Sequence, residues 1–207
     1  MENKKYRILK LLCIYIAAIV LGLILAILSD DTNFYATAFY LVIIVGLYIY
    51  IYKENIMWQP WLGKVHKEGL VRIIVSATFV LALIILTIAL RTAVWMEGIT
   101  EDFKFDIFVF IASCCLAPLI EEFLCRGIVF DILKEKHSNT FAVIVSAIIF
   151  YIIHGDLMNV GALIFGLLAG WMKIKVESIV PGVIIHFVWN TIIFFLPVIA
   201  SNIANTM

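Results

Sequence analysis

Six side chains stand where an apolar chain should not carry them. They are Glu121, Glu122 and Arg126 on one stretch, His154 on the next, and His186 with Asn190 near the end. A charge at the bilayer centre costs roughly 2.5 kcal/mol or more, so such residues point to function by default. Glu122 and Arg126 are four apart, share one helical face and can pair. That pairing relieves part of the cost of both charges and argues for structure rather than chemistry. Glu121 projects about 100° from that face, which leaves it outside the pair. An acid left over beside a satisfied ion pair needs another reason to exist, and general-base chemistry supplies one. Phe150 lies one turn before His154; a lone histidine at a helix end is more often structural or interfacial than catalytic. His186 and Asn190 are again four apart, so they can donate to a developing oxyanion or act as interhelical hydrogen-bond glue. Two carboxylates, two imidazoles and an amide from separate helices are parts enough for a hydrolytic site within a membrane.

The elements that must position these groups follow from hydropathy. The chain is 64% hydrophobic with mean hydropathy +1.10, far above the roughly 45–50% apolar content of soluble domains. Apolar stretches near 8–28, 34–52, 70–90, 106–133, 139–154, 157–173 and 178–200 predict an all-α, polytopic transmembrane helical bundle of about seven spans. We divide this single membrane domain at residue 105. Residues 1–104 supply N-terminal helices and a cytoplasmic interfacial linker, and residues 105–207 supply the core that carries the polar groups. The first span resembles a signal peptide in its basic approach, but its run is too long and its exit, Ile27 to Asp31, lacks a small-residue cleavage pattern, so it reads as a retained anchor.

Net charge is zero, yet its distribution is uneven. Lys4, Lys5, Arg7, Lys10, Lys53, Lys64, Lys67, Arg72, Lys134, Lys136, Lys173 and Lys175, twelve of the 15 basic residues, fall on one side of the predicted spans. The positive-inside rule then places the N-terminus in the cytoplasm and the C-terminus outside. Trp58 and Trp61, between Lys53 and Gly69, predict a stretch lying along the inner headgroups. The loop between Arg91 and Asp106, with Glu97, Glu101 and Asp102, reads as solvated. Cys13, Cys114, Cys115 and Cys125 all fall within spans and form no C-x-x-C pattern, which argues against a disulfide framework or a thiolate zinc site. No basic patch is interleaved with stacking aromatics, so nucleic acid is excluded as a partner. Ala162, Gly166 and Gly170, at four-residue spacing, predict close helix packing. Pro118, one turn before Glu121, should free the carbonyl of Cys114 and kink its helix.

The motifs Glu121-Glu122-x-x-x-Arg126, Phe150-x-x-x-His154 and His186-x-x-x-Asn190 resemble those of the CPBP intramembrane proteases. That family includes type II CAAX prenyl proteases and the Abi and bacteriocin-immunity proteins. The resemblance covers about residues 105–195 and implies a polytopic helical fold. It also implies that Glu121 and His154 activate water, that His186 and Asn190 stabilise the oxyanion, and that Glu122 with Arg126 organises the helix. Glu121, His154 and His186 also make a His₂Glu set, a recognised catalytic zinc composition. No His-Glu-x-x-His helix is present, and a metal-free site gives Asn190 a role, so no cofactor is expected and a divalent ion such as zinc is the alternative.

The leading expectation is an intramembrane endopeptidase of a prokaryotic plasma membrane, working among membrane lipids on a membrane-associated protein or peptide. The alternative is a non-enzymatic immunity or scaffold protein of the bacteriocin self-immunity type. A proton-coupled transporter ranks last, for want of a recognisable inverted repeat. One tension stands in the predicted spans: Glu121 and His186 fall near mid-membrane, whereas His154 falls at the end of a short helix. Either that helix continues past Gly155, or tilt and the Pro118 kink bring the groups level.

Overall fold

The structure is a computed structural model that describes residues 32–53, 63, 68–79, 82, 105–154 and 160–204, together with part of 10–24. Every regular element among the described residues is helical, as the hydropathy pattern predicts. Five helices are named here: α1 (Thr32–Lys53), α2 (Ile107–Lys134), α3 (Asn139–Ile153), α4 (Val160–Val176) and α5 (Val180–Ala204). They match five predicted spans to within a few residues. The described residues of 10–24 and 68–79 are helical too, the first within the predicted span 8–28 and the second starting two residues before the predicted span 70–90; most of the remaining residues of both spans lie outside the description. The interfacial stretch with Trp58 and Trp61 and the acidic loop with Glu97, Glu101 and Asp102 also lie outside it.

Among the described residues, α2, with 28 residues, is the one helix long and apolar enough to cross a membrane by itself. The Asp106 carboxylate caps it, accepting from the amides of Phe108 and Val109 at 2.8 and 3.2 Å. Asp106 thereby satisfies donors that a helix start leaves unpaired. Ser138 caps α3 in the same way through Phe141.

Helix α2 is not uniform. It widens to π-helix over Ile111–Leu116 and again over Phe123–Val129, leaving a short α segment, Ala117–Glu122, between the two. The Ala117 amide reaches back five residues to Ala112, and the next residue, Pro118, has no amide to offer. The carbonyl robbed of its helical donors is therefore Ser113, five residues before the proline, and not Cys114 as an α-helical register predicts. A side chain from α5 fills the gap: the Asn190 amide donates to Ser113 O at 2.8 Å.

Among the described residues, helices α3 and α4 form the most extensive pair, running along the predicted stripe of small residues. A Cβ on Gly166 would come within 3.1 Å of Ala147, and one on Gly170 within 3.2 Å of Val143. Larger residues would hold the two helices apart. Around this seam, Cys125 of α2, Phe150 of α3, Phe165, Ala169 and Met172 of α4 and Ile185 of α5 bury one another.

Candidate active site

Helix α2 brings two adjacent glutamates to two different neighbours. Glu122 and Arg126 are both fully buried and paired at 3.0 Å, as their spacing predicts. The guanidinium also donates to Gly166 O at 2.9 Å, and it lies 4.3 Å from the centre of the Phe150 ring. Arg126 thus ties α2 to α4 and α3 at once, with a carboxylate, a carbonyl and an aromatic face around one cation. The space for the carboxylate depends on Gly182 of α5, where a Cβ would stand 2.5 Å from Glu122 Oε2.

Glu121 turns to the histidines. Its Oε2 lies 3.5 Å from His154 Nε2 and 3.8 Å from His186 Nε2, bringing α2, α3 and α5 to one point. The Glu121 and His154 side chains keep 20% and 24% of their accessible surface, whereas His186 keeps 3%, so the cluster is reachable through its acid and one of its imidazoles. Glu121 Oε2 is buried with no hydrogen-bond partner among the described residues. A buried carboxylate oxygen between two imidazole nitrogens, none at full hydrogen-bond distance, is the arrangement expected where water, a proton or a cation joins the group.

The environment fixes the histidine rings. His154 Nδ1 lies 2.8 Å from the carbonyl of Phe150 in its own helix. A carbonyl only accepts, so Nδ1 carries hydrogen and, in the neutral ring, Nε2 presents its lone pair toward Glu121. His186 Nδ1 lies 3.6 Å from Glu122 Oε1. The ring of Phe150 packs 4.3 Å from His154 and 5.4 Å from His186, and Phe165 packs 4.9 Å from His186.

The sequence left two ways to bring His154 level with Glu121. Helix α3 ends at Ile153 with His154 as its cap residue, so continuation past Gly155 is not the answer. The histidine reaches Glu121 from the helix end, where its ring also bonds one of the carbonyls that a helix terminus leaves without an amide. Its structural and chemical readings therefore coexist on two nitrogens of one ring.

All seven residues singled out from sequence are in the described structure. Glu121, His154 and His186 meet directly, with Glu122, Arg126 and Phe150 packed behind them. Asn190 shares a face of α5 with His186, and one of its amide hydrogens is spent on Ser113. Sequence reasoning missed Phe165, Gly182 and the Gly166 carbonyl, whose parts depend on which helices meet. It also did not foresee that Lys173, assigned to the cytoplasmic side, would lie inside α4, 9% exposed and bonded to α2.

Glu121, His154 and His186 each offer a ligand atom, all within 4.8 Å of one another. Their chemistry, one carboxylate and two neutral imidazoles, and the unpartnered Oε2 fit a divalent cation such as zinc.

Residues 103–192 match the family described as "Type II CAAX prenyl endopeptidase Rce1-like". A Bacillus subtilis (strain 168) protein, "Putative membrane peptidase YdiL", is 30% identical over 86 residues, which is 40% of this chain. The aligned segment spans about a third (34%) of that relative's length. No solved structure matches. The resemblance drawn from the three motifs is therefore borne out: residues 103–192 match the Rce1-like type II CAAX prenyl endopeptidase family, and every motif residue lies inside the match.

Proposed function

We propose that this chain is an intramembrane endopeptidase that hydrolyses a peptide bond in a membrane-associated protein or peptide. The observation that carries the reading is the convergence of Glu121, His154 and His186 from three helices, in a cluster whose acid and one imidazole stay partly exposed. The Rce1-like match and the peptidase description of the Bacillus subtilis relative support it. The setting proposed is multi-pass, in a prokaryotic plasma membrane, with the N-terminus cytoplasmic and the C-terminus outside.

In this mechanism Glu121 accepts a proton from a water held between it and His154. The water oxygen attacks the scissile carbonyl carbon, and the carbonyl π electrons move to oxygen. His186 and the second amide hydrogen of Asn190 donate to that oxyanion. Collapse of the tetrahedral intermediate breaks the C–N bond, and the proton held by Glu121 passes to the leaving amine, closing the balance. Glu122 and Arg126 hold the α2 turn, and Glu122 faces Nδ1 of His186. A divalent ion, were one bound by Glu121, His154 and His186, would supply Lewis-acid polarisation of the same carbonyl and a more acidic water. The protein groups suffice without it, and we favour the metal-free route because it gives Asn190 a part in the chemistry.

The test compares protein N-termini in membranes from cells expressing wild type or Glu121→Gln at matched levels. A new N-terminus made only with wild type is the expected result. Full cleavage by Glu121→Gln would sink the reading.

A further inference from the structure

The second π segment of α2, Phe123–Val129, needs a hand that the site does not supply. There the Phe130 amide reaches back to Cys125, so the carbonyl of Arg126 loses the amide that an α-helix would give it. The Lys173 ammonium, reaching across from α4, donates to that carbonyl, and at 2.5 Å to Asp131 Oδ1 on the next turn of α2. The Phe130 ring lies 4.6 Å beneath the charge. A lysine close to the end of an apolar helix would ordinarily extend its stem toward the headgroups. This one turns inward and buries its charge, where every partner must be matched.

The arrangement parallels the first π segment, where Asn190 of α5 takes the released Ser113 carbonyl. Both widened turns that bracket Glu121 and Glu122 are thus satisfied by side chains from other helices. The extra residue in a π turn has a geometric consequence. One residue is worth about 100° of rotation about the helix axis, so tightening Phe123–Val129 to α-helix would turn the glutamates against the anchored part of α2. That anchored part is held to α4 by Arg126 through Gly166 O and by Lys173.

We infer that Lys173, with Asp131, is a positioning residue: it holds the second π turn of α2 in its widened form and so aims Glu121 at His154 and His186. This rests on the endopeptidase reading for its activity test, though its geometric test does not. Lys173 touches none of the reacting groups, so its loss should lower turnover and leave substrate binding alone.

The experiment uses the full chain in liposomes. The substrate is the protein whose new N-terminus depends on Glu121. Lys173→Met is expected to lower kcat by about 10²-fold with KM within about threefold, the scale of a roughly 1 Å misplacement of a reacting group. Lys173→Arg, which keeps the cation and its donors, should recover kcat to within about threefold of wild type. Wild-type kcat in Lys173→Met would overturn the inference. If Lys173→Met fails to accumulate as folded protein, Asp131→Asn decides, because that carboxylate is half-exposed. A kcat lowered about fivefold at constant KM supports the clamp, and wild-type kcat overturns it.

If no cleavage depends on Glu121, the endopeptidase reading falls and the geometry is tested alone, by the rate at which dicyclohexylcarbodiimide modifies Glu121, read by mass spectrometry. A rate changed more than about threefold in Lys173→Met, scaled to the misplacement above, supports the positioning role. An equal rate overturns it.

Discussion

Glu121 and Glu122 are the same residue type, one peptide apart on one helix, yet they belong to different parts of the molecule. Glu122 is sealed from solvent, paired with Arg126, and backed by the Gly166 carbonyl and the Phe150 face. Glu121 keeps a fifth of its surface, has an oxygen with no hydrogen-bond partner among the described residues, and faces two imidazoles beyond hydrogen-bond distance. Each carboxylate keeps an Oε2 without a hydrogen-bond partner among the described residues, but Glu122 is sealed and committed through Oε1 to Arg126, whereas Glu121 is partly exposed and faces imidazoles. A rotation of about 100° along the helix separates a group that holds the fold from one with bonding capacity to spend on chemistry.

The sharpest way to break this comparison is to treat both glutamates alike. Glu121→Gln should lower proteolysis by roughly 10²–10⁴-fold, the range that positioned acid–base groups contribute, while accumulation and melting temperature stay at wild-type values. Arg126→Ala strands a buried carboxylate and should cost about 3–5 kcal/mol of stability, seen as loss of folded protein in detergent. A normal level of Arg126→Ala would show that the network behind Glu122 is not what holds α2.

Asn190→Ala sharpens the comparison from the other side. It should slow cleavage by roughly 10²–10³-fold, the cost of one oxyanion donor, measured as initial rate at matched levels. It also frees Ser113 O, so part of its effect should appear as lowered thermal stability. Gly182→Ala places a methyl against Glu122 Oε2 and should cost about 1–3 kcal/mol by overpacking. Gly170→Ala, with its looser 3.2 Å contact to Val143, should cost less in the same melting experiment. The smallest expected effect is that of chelation. By the metal-free route, cleavage should survive 1,10-phenanthroline unchanged; loss of cleavage restored by added zinc would transfer the step to a metal held by Glu121, His154 and His186.

Much of this site was legible before folding because helical spacing is a local rule. The Glu122–Arg126 pair follows from a four-residue separation, and the isolation of Glu121 follows from its being one residue off that face. The small-residue stripe at Ala162, Gly166 and Gly170 announced a close helix contact, although not that Gly166 would also lend Arg126 a carbonyl. The burial of Lys173 went unforeseen for a physical reason. A lysine close to a predicted span end ordinarily belongs to the headgroups, and only the carbonyl released by a π turn on another helix draws it inward. The carbonyl freed by Pro118 was misassigned on the same account, since an α register points to Cys114 and the observed π register to Ser113.

Sequence alone determined that this chain is helical, that its apolar stretches are long enough to call for a membrane, and which few polar side chains such a setting would not carry for nothing. These conclusions rest on transfer free energy and on the 3.6-residue repeat, both readable along the chain. Only the tertiary structure decided that three helices bring Glu121, His154 and His186 within 4.8 Å of one another at their ligand atoms. It also decided which histidine nitrogen faces the acid, and that two widened turns of α2 are held by Asn190 and Lys173. The reason is that contact between helices depends on rotation, register and depth together, and a single extra residue in one turn resets all three.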